Sequence, residues 1–374
     1  MGPRTNTTAR QWLGLMATGC LVLGGGMVVS LSALPPAGAS VVTPTAYVAL
    51  SGDNDVTPIN TTNNTTGSTI PVGTSPAAVA ITPDGKTAYV ADFLSNTVTP
   101  INTANNAAGS AISVPNLPTA LAITPDGKTL YVACQGAAEV VPINTATNTV
   151  GSPTGVGSNP NGIAITPDGK TAYVTNFFSN NVIPIATATN TAGPPIGVGS
   201  GPAAIAITPD GKTAYVANYG SSDVTPITTA TNTAGSAIGL GGGANPRAIA
   251  ITPDGKTAYV VNFGANSVTP ITTATNTAGS AIGLGGGTNP VAIAITPDGK
   301  TAYVNNDLAN TVTPIATATN TLGSPISVGN NPDGIAITPD PAPTAAFSSV
   351  PGSPGSPTHF DASGSTSPVG TIAS

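Results

Sequence analysis

Between residues 46 and 340 short apolar runs alternate with turn-forming clusters, and the runs recur in a fixed order. Stretches such as Ala204-Ile205-Ala206-Ile207 put large and small side chains on opposite faces, which is the two-residue period of a strand. Each is followed by Thr-Pro-Asp-Gly-Lys, a turn sequence: proline sets φ at the second position, aspartate tolerates the third, and glycine takes the left-handed place. A second strand carries a Tyr-Val pair, at Tyr47, Tyr89, Tyr131, Tyr173, Tyr215, Tyr259 and Tyr303. Aromatic and β-branched side chains of this kind fill the space between packed sheets. A third strand contains Val-Thr-Pro-Ile or a close variant, as at Val98 to Ile101 and Val268 to Ile271. A fourth, shorter one is typified by Ile326-Ser327-Val328. Pro100 and its six equivalents cannot donate to a ladder, so a bulge or a late strand start is expected there.

The order repeats with a strict period. Thr-Pro-Asp begins at Thr82, Thr124, Thr166, Thr208, Thr252, Thr296 and Thr338, so successive copies lie 42 or 44 residues apart. That is the length of a propeller blade. The two longer periods coincide with Gly-Leu-Gly-Gly-Gly at Gly239 and Gly283, which places the insertions in a loop. The ends of the array are complementary. Tyr47 has no Ile-Thr-Pro-Asp strand before it, while Gly334 to Asp340 supplies that strand with no Tyr-Val after it. The pattern predicts an all-β, seven-bladed β-propeller with four strands per blade, closed by pairing of N- and C-terminal strands in one blade. Such closure leaves no unpaired edge.

Tyr173-Val174-Thr175-Asn176, set inside Ile165 to Val174, carries a family likeness. The chain resembles YVTN-family β-propeller repeat proteins of the surface-layer type over residues 46–340. It departs from them in the third strand, where proline replaces a valine and Asn102, Ala186 or Thr228 stands where the family has aspartate. The resemblance implies an exported protein. Related propellers include lactonases and lyases acting on small cyclic substrates, so it implies an enzymatic alternative as well.

The flanks differ from the repeats. Residues 1–39 read as a signal peptide: Arg4 and Arg10 precede an apolar stretch from Trp12 to Leu34, and Ala37-Gly38-Ala39 is a small-x-small cleavage site. The apolar stretch is long enough to span a bilayer, so an uncleaved membrane anchor is the competing reading. After cleavage Cys134 is the sole cysteine and cannot form an internal disulfide, so stability is expected to rest on packing. The Pro/Gly/Ser-rich tail, 341–374, resembles the opening of a PKD module at Ala346-Phe347 and Phe360 to Ser365. It stops short of a complete sandwich, so it is expected to be disordered and the chain to be a fragment of a longer protein.

Charge narrows the chemistry. Charged residues are 6% of the chain and the net charge is −6, with no basic cluster, which argues against nucleic acid. The Asp-Gly-Lys hairpins nearly cancel, whereas the opposite, loop-bearing face carries Asp53, Asp55, Asp92, Glu139, Asp223, Asp307 and Asp333 against Arg247 alone. These eight residues are the candidate ligand-binding set, for a cation, a basic peptide or glycan hydroxyls; the alternative is that the acids only solubilise loops. Asp53-Asn54-Asp55 starts like a calcium loop but lacks its glycine and distal glutamate, so no metal is assigned. With His359 and Glu139 the only residues of their types, general acid–base catalysis has few candidates, and no catalytic residue or cofactor is assigned. The reading is a monomeric, secreted or cell-surface binding, adhesion or scaffolding protein with a protein, glycan or cell-wall ligand.

Overall fold

The computed structural model describes residues 44–340, 348–350 and 359–361. Residues 1–39, read from the sequence as a signal peptide, and most of the tail lie outside them; within the tail, Ser348–Val350 pairs antiparallel with His359–Asp361. Residues 44–340 form seven sheets whose innermost strands neighbour one another in a closed ring, the last (Pro332–Ile337) lying against the first (Pro76–Ile81). Numbered from Pro76, blades 1 to 6 are continuous in sequence. Blade 7 takes its innermost strand from the C-terminal end and the rest from the N-terminal end: Tyr47 faces Ala336, Ala46 faces Ile337, and Thr45 follows at the hairpin end, where its backbone N–H donates to Thr338 Oγ1 at 2.8 Å. The closure expected from the complementary ends is present.

The core is divided among the blade interfaces. Tyr89 of blade 1 packs with Leu130, Val132 and Ile143 of blade 2, and Tyr303 of blade 6 packs with Val48, Leu50 and Ile59 of blade 7. Burying each Val, Ile or Leu side chain stabilises the ring by about 1.5–3 kcal/mol. Every repeated tyrosine also reaches one blade further with its hydroxyl. Tyr47 Oη donates to Asn106 Oδ1 at 2.7 Å, Tyr173 to Asn232 at 2.6 Å, and Tyr303 to Asn64 at 2.6 Å, which carries the series across the seam. The accepting asparagines are left-handed, Asn106 at φ 55° and Asn64 at 59°, a conformation that asparagine tolerates better than most residues.

The third-strand prolines do not break their own strand. Pro100 lies inside Thr97–Asn102, opposite Tyr89, in unbroken register with the second strand. The interruption falls on the outer strand, which is split into Ala107–Ala108 and Ile112–Ser113, both paired with the third. Each blade therefore keeps the four strand positions expected, the outer one split in two so that five strands are hydrogen-bonded. The reason is local: Pro100 offers its carbonyl to Gly109 N at 2.7 Å but has no N–H to return, so the ladder lapses there. Gly109 fits closely here, since a Cβ on it would stand 3.2 Å from Pro100 Cγ, tighter than ordinary contact, and the same Pro–Gly pairing recurs at Pro142 and Gly151.

The hairpin aspartates work as turn residues. Thr82 Oγ1 donates to Asp84 Oδ1 at 2.6 Å and the Lys86 backbone N–H donates to the same oxygen at 3.1 Å. The Lys86–Asp84 ion pair, 3.3 Å long with side chains 80% and 53% exposed, contributes little. The threonine hydroxyl, followed by other local bonds, holds the carboxyls of Asp84, Asp126, Asp168, Asp210 and Asp254 below the usual range.

Two outcomes follow from these bonds. Tyr303→Phe keeps the ring packing but strips Asn64 of its donor; the expected cost is about 1–2 kcal/mol, read as a lower urea midpoint at unchanged m value. Carboxyls whose folded pKa is depressed contribute stability that is present above about pH 4 and is lost as pH falls through the folded values. The urea midpoint is therefore expected to drop below about pH 4, and Asp126→Asn with Asp168→Asn to flatten that drop.

Candidate functional site

The eight residues singled out from the sequence do not gather in one place. Asp53 caps a neighbouring linker, accepting from Asn330 N at 2.6 Å and Asn330 Nδ2 at 2.7 Å, and those bonds, the backbone one first, lower its pKa. Asp55, Glu139 and Asp223 head third strands, and Asp223 accepts from Asn218 Nδ2 at 2.6 Å. Asp92 is fully buried inside blade 1, where Thr97 and Thr99 hydroxyls donate to its Oδ2 at 2.9 and 2.6 Å. It occupies the place of Asn176, Asn218, Asn262 and Asn306 in other blades. Asp307 accepts from Asn331 Nδ2 at 3.1 Å. Only Arg247 and Asp333 meet directly, at 3.4 Å.

These two are brought together by a backbone irregularity that every blade shares. In blade 1 Pro76 pairs with Asp92 and Ala78 with Ala91, so Ala77 is an extra residue in the innermost strand. The corresponding bulge residues are Thr119, Asn161, Ala203, Arg247, Val291 and Asp333. A bulge re-aims a side chain, and this one turns its residue to the mouth of the central channel. There all seven line a cavity of about 490 Å³. Cys134 ends a second strand and is fully buried; burial, aided by Glu139, pushes its thiol up to about 12, leaving it unreactive.

Around the mouth runs a second ring, formed by the residue that follows each second strand. Phe93, Phe177, Tyr219 and Phe263 occupy this place in blades 1, 3, 4 and 5; Ser51, Gln135 and Asp307 hold it in the others. Tyr219 lies 6.0 Å from Phe177 and 6.3 Å from Phe263 between ring centroids, so blades 3 to 5 present a continuous aromatic arc. Arg247 extends the arc, its guanidinium 5.6 Å from the Phe263 centroid. Outside it, Leu94, Phe178 and Leu308 stand exposed on the same face. The pair beyond the arc is electrostatically balanced. Burial raises the Asp333 carboxyl, the Arg247 charge opposes the rise, and Asp307 adds to it. Buried Asn305 donates to the Asp333 and Gly334 carbonyls at 3.1 and 3.2 Å, and at Gly334 a Cβ would stand 2.7 Å from the next innermost strand, which pins the bulge.

The grooves between blades, such as those beside Tyr131 and Tyr173, repeat the same lining from blade to blade. The channel mouth, by contrast, breaks the repeat, combining rings, amides, a hydroxyl and one ion pair. It can orient a ligand; among the described residues no three of His, Cys, Asp and Glu gather as they would around a metal ion. The aromatic arc was missed by a search for charge. The signal was present, because the residue after each innermost-strand proline and the one after each second strand are among the columns in which the repeats differ in chemistry.

A family model described as YNCE-like beta-propeller matches residues 8–344. No curated protein matches the chain. Among solved structures, Kuenenia stuttgartiensis hydrazine synthase is 25% identical, with a TM-score of 0.66 over 72% of this chain and 91% of that one. A functionally unknown protein from Desulfotomaculum acetoxidans is 18% identical, with a TM-score of 0.69 over 79% and 99%. Virginiamycin B lyase from Staphylococcus aureus is 16% identical, with a TM-score of 0.61 over 71% and 92%. The latter two likenesses are of fold.

The Asp92 environment yields a test that separates a structural from a functional carboxyl. Desolvation raises its pKa in spite of the bonds from Thr99, Thr97 and Gly73. A carboxyl whose folded pKa is raised favours the fold when protonated, and stability is lost as pH climbs through that pKa. Asp92→Asn installs the amide of the sister blades, which there donates to threonine at 2.9 Å (Asn218) and 2.8 Å (Asn262). The variant is expected to be more stable than the parent near pH 7, by on the order of 1 kcal/mol, with the gain vanishing in acid; thermal melts across pH measure it.

Proposed function

The chain belongs to the YNCE-like β-propeller family, and from that premise we propose that it is an exported, non-catalytic binding protein acting at the cell surface through its loop-bearing face. The carrying observation is that the positions breaking sevenfold repetition converge at the channel mouth and supply rings, amides and a neutralised pair. Such a surface orients and retains a partner. Adhesion or scaffolding at an envelope needs no more than that, and the signal-like residues 1–39 fit export. Exposed Leu94, Phe178 and Leu308 extend the same face outward as apolar contact points, whereas the opposite face presents ring after ring of solvated Asp–Lys turns.

Propeller neighbours include a lyase, so turnover of a small cyclic substrate is the rival reading. The Staphylococcus aureus lyase is catalytically inactive in a histidine-to-alanine variant. Residues 44–340 here contain no histidine and one glutamate, Glu139, which heads a third strand. Proton transfer would fall to aspartates that are engaged in turns, linkers or the Arg247 pair.

The full chain is expected to be retained by isolated cell envelope, and Leu94→Asp with Phe178→Asp to weaken retention at least tenfold. Lys128→Glu with Lys170→Glu, on the hairpin face, should leave it unchanged. The converse result, or turnover of a lactone abolished by Asp333→Asn, would replace the proposal with another function.

A further inference from the structure

We propose that the channel mouth seats a neutral saccharide, a ring or short chain end, with its C–H face on the aromatic arc and its hydroxyls on the Arg247–Asp333 pair. The inference rests on the binding reading above and names the ligand chemistry of the same site.

The charges select against an ion. Arg247 and Asp333 already satisfy one another at 3.4 Å with side chains 40% and 30% exposed. A cationic ligand would displace Arg247 from Asp333 and from the Phe263 face, and an anion would strip Arg247 from its carboxylate; either leaves a partly desolvated charge unpaired. A hydroxyl has no such cost, since it accepts from a spare guanidinium N–H and donates to the free carboxylate oxygen while the pair stays intact. The guanidinium has five donors and the carboxylate two acceptor oxygens, which suits vicinal hydroxyls.

The shape of the site agrees with a sugar. Sugar rings are amphipathic, with an apolar C–H face and polar edges. The mouth is divided in the same way: the arc of Phe177, Tyr219 and Phe263 borders it over blades 3 to 5, outside the lining of the cavity itself, whose wall carries Asn161, Arg247 and Asp333. A cavity of about 490 Å³ lies within the small-molecule range of about 300–1,000 Å³. Bulges tied into a closed ring hold these groups in place before the ligand arrives, which lowers the ordering cost of binding.

The test applies the full chain to immobilised neutral hexose and N-acetylhexosamine oligosaccharides, a uronic-acid set, an amino-sugar set and a panel of Lys/Arg-rich peptides. The neutral set alone is expected to bind, with affinity changing less than about threefold between low and physiological salt. Tyr219→Ala and Asn161→Ala should each weaken it at least tenfold while the protein remains folded by circular dichroism; Lys128→Ala should change nothing. Binding confined to a charged set or to the peptides overturns the saccharide assignment. So does retention on cell envelope through the loop face with no sugar bound, in which case the binding function stands and only the ligand class falls. Loss of both takes the broader reading with it.

Discussion

The tyrosine-to-asparagine bond between blades is the constraint that the architecture depends on. A blade of short strands has one apolar face too many for its own sheet, and it becomes stable only when the next blade covers that face. Packing alone leaves the rotation between two such faces loosely set, because valines and isoleucines tolerate small slides. The hydroxyl removes the freedom. Tyr131 Oη, donating to Asn190 Oδ1 at 2.5 Å and to Thr187 O at 3.2 Å, accepts only one placement of the following turn. With the bond repeated from Tyr47 to Tyr303, the angle per blade is set seven times over and the ring closes without an adjustable joint.

A scaffold so determined restricts where sequence can change. The Tyr, Val, Pro, Gly and turn Asp columns are each tied to a partner in the same or the adjacent blade, so substitution there acts on the fold. The bulge residue and the residue after the second strand face the channel mouth instead, and they run through Ala, Thr, Asn, Arg, Val and Asp in one column and Ser, Phe, Gln, Tyr and Asp in the other. Variety at these places, on a ring that does not flex to follow it, is how a symmetric fold makes an asymmetric surface.

Repetition made the fold legible from sequence down to the shared blade, because a period and two complementary ends leave one way to close. The split of the outer strand was not legible in the same way. It depends on which side of the third strand Pro100 turns its missing N–H toward, and that is a matter of register with Gly109 rather than of residue type. The site was half legible. Arg247 and Asp333 were marked by charge and do meet, though blade 6 separates them in the ring. Asp92 carried the same mark but lies in a column that points into the blade, where its neighbours use asparagine. The aromatic rings were overlooked because Phe177 and Tyr219 resemble core residues when counted singly, and become an arc only when seven blades are set side by side.

The balance of charge at the mouth links scaffold to function. Asn305 and the close contact at Gly334 hold the blade 7 bulge in a position that burial makes costly for a carboxylate, and Asp307 nearby adds to the cost. Arg247, reaching from blade 5, opposes that cost and pairs with the carboxylate. The arginine in turn is steadied on the Phe263 face, so one end of the aromatic arc and one end of the ion pair share a residue. A ligand that stacks on the arc therefore comes within reach of the pair, and binding at either is coupled to the other through the guanidinium that both share.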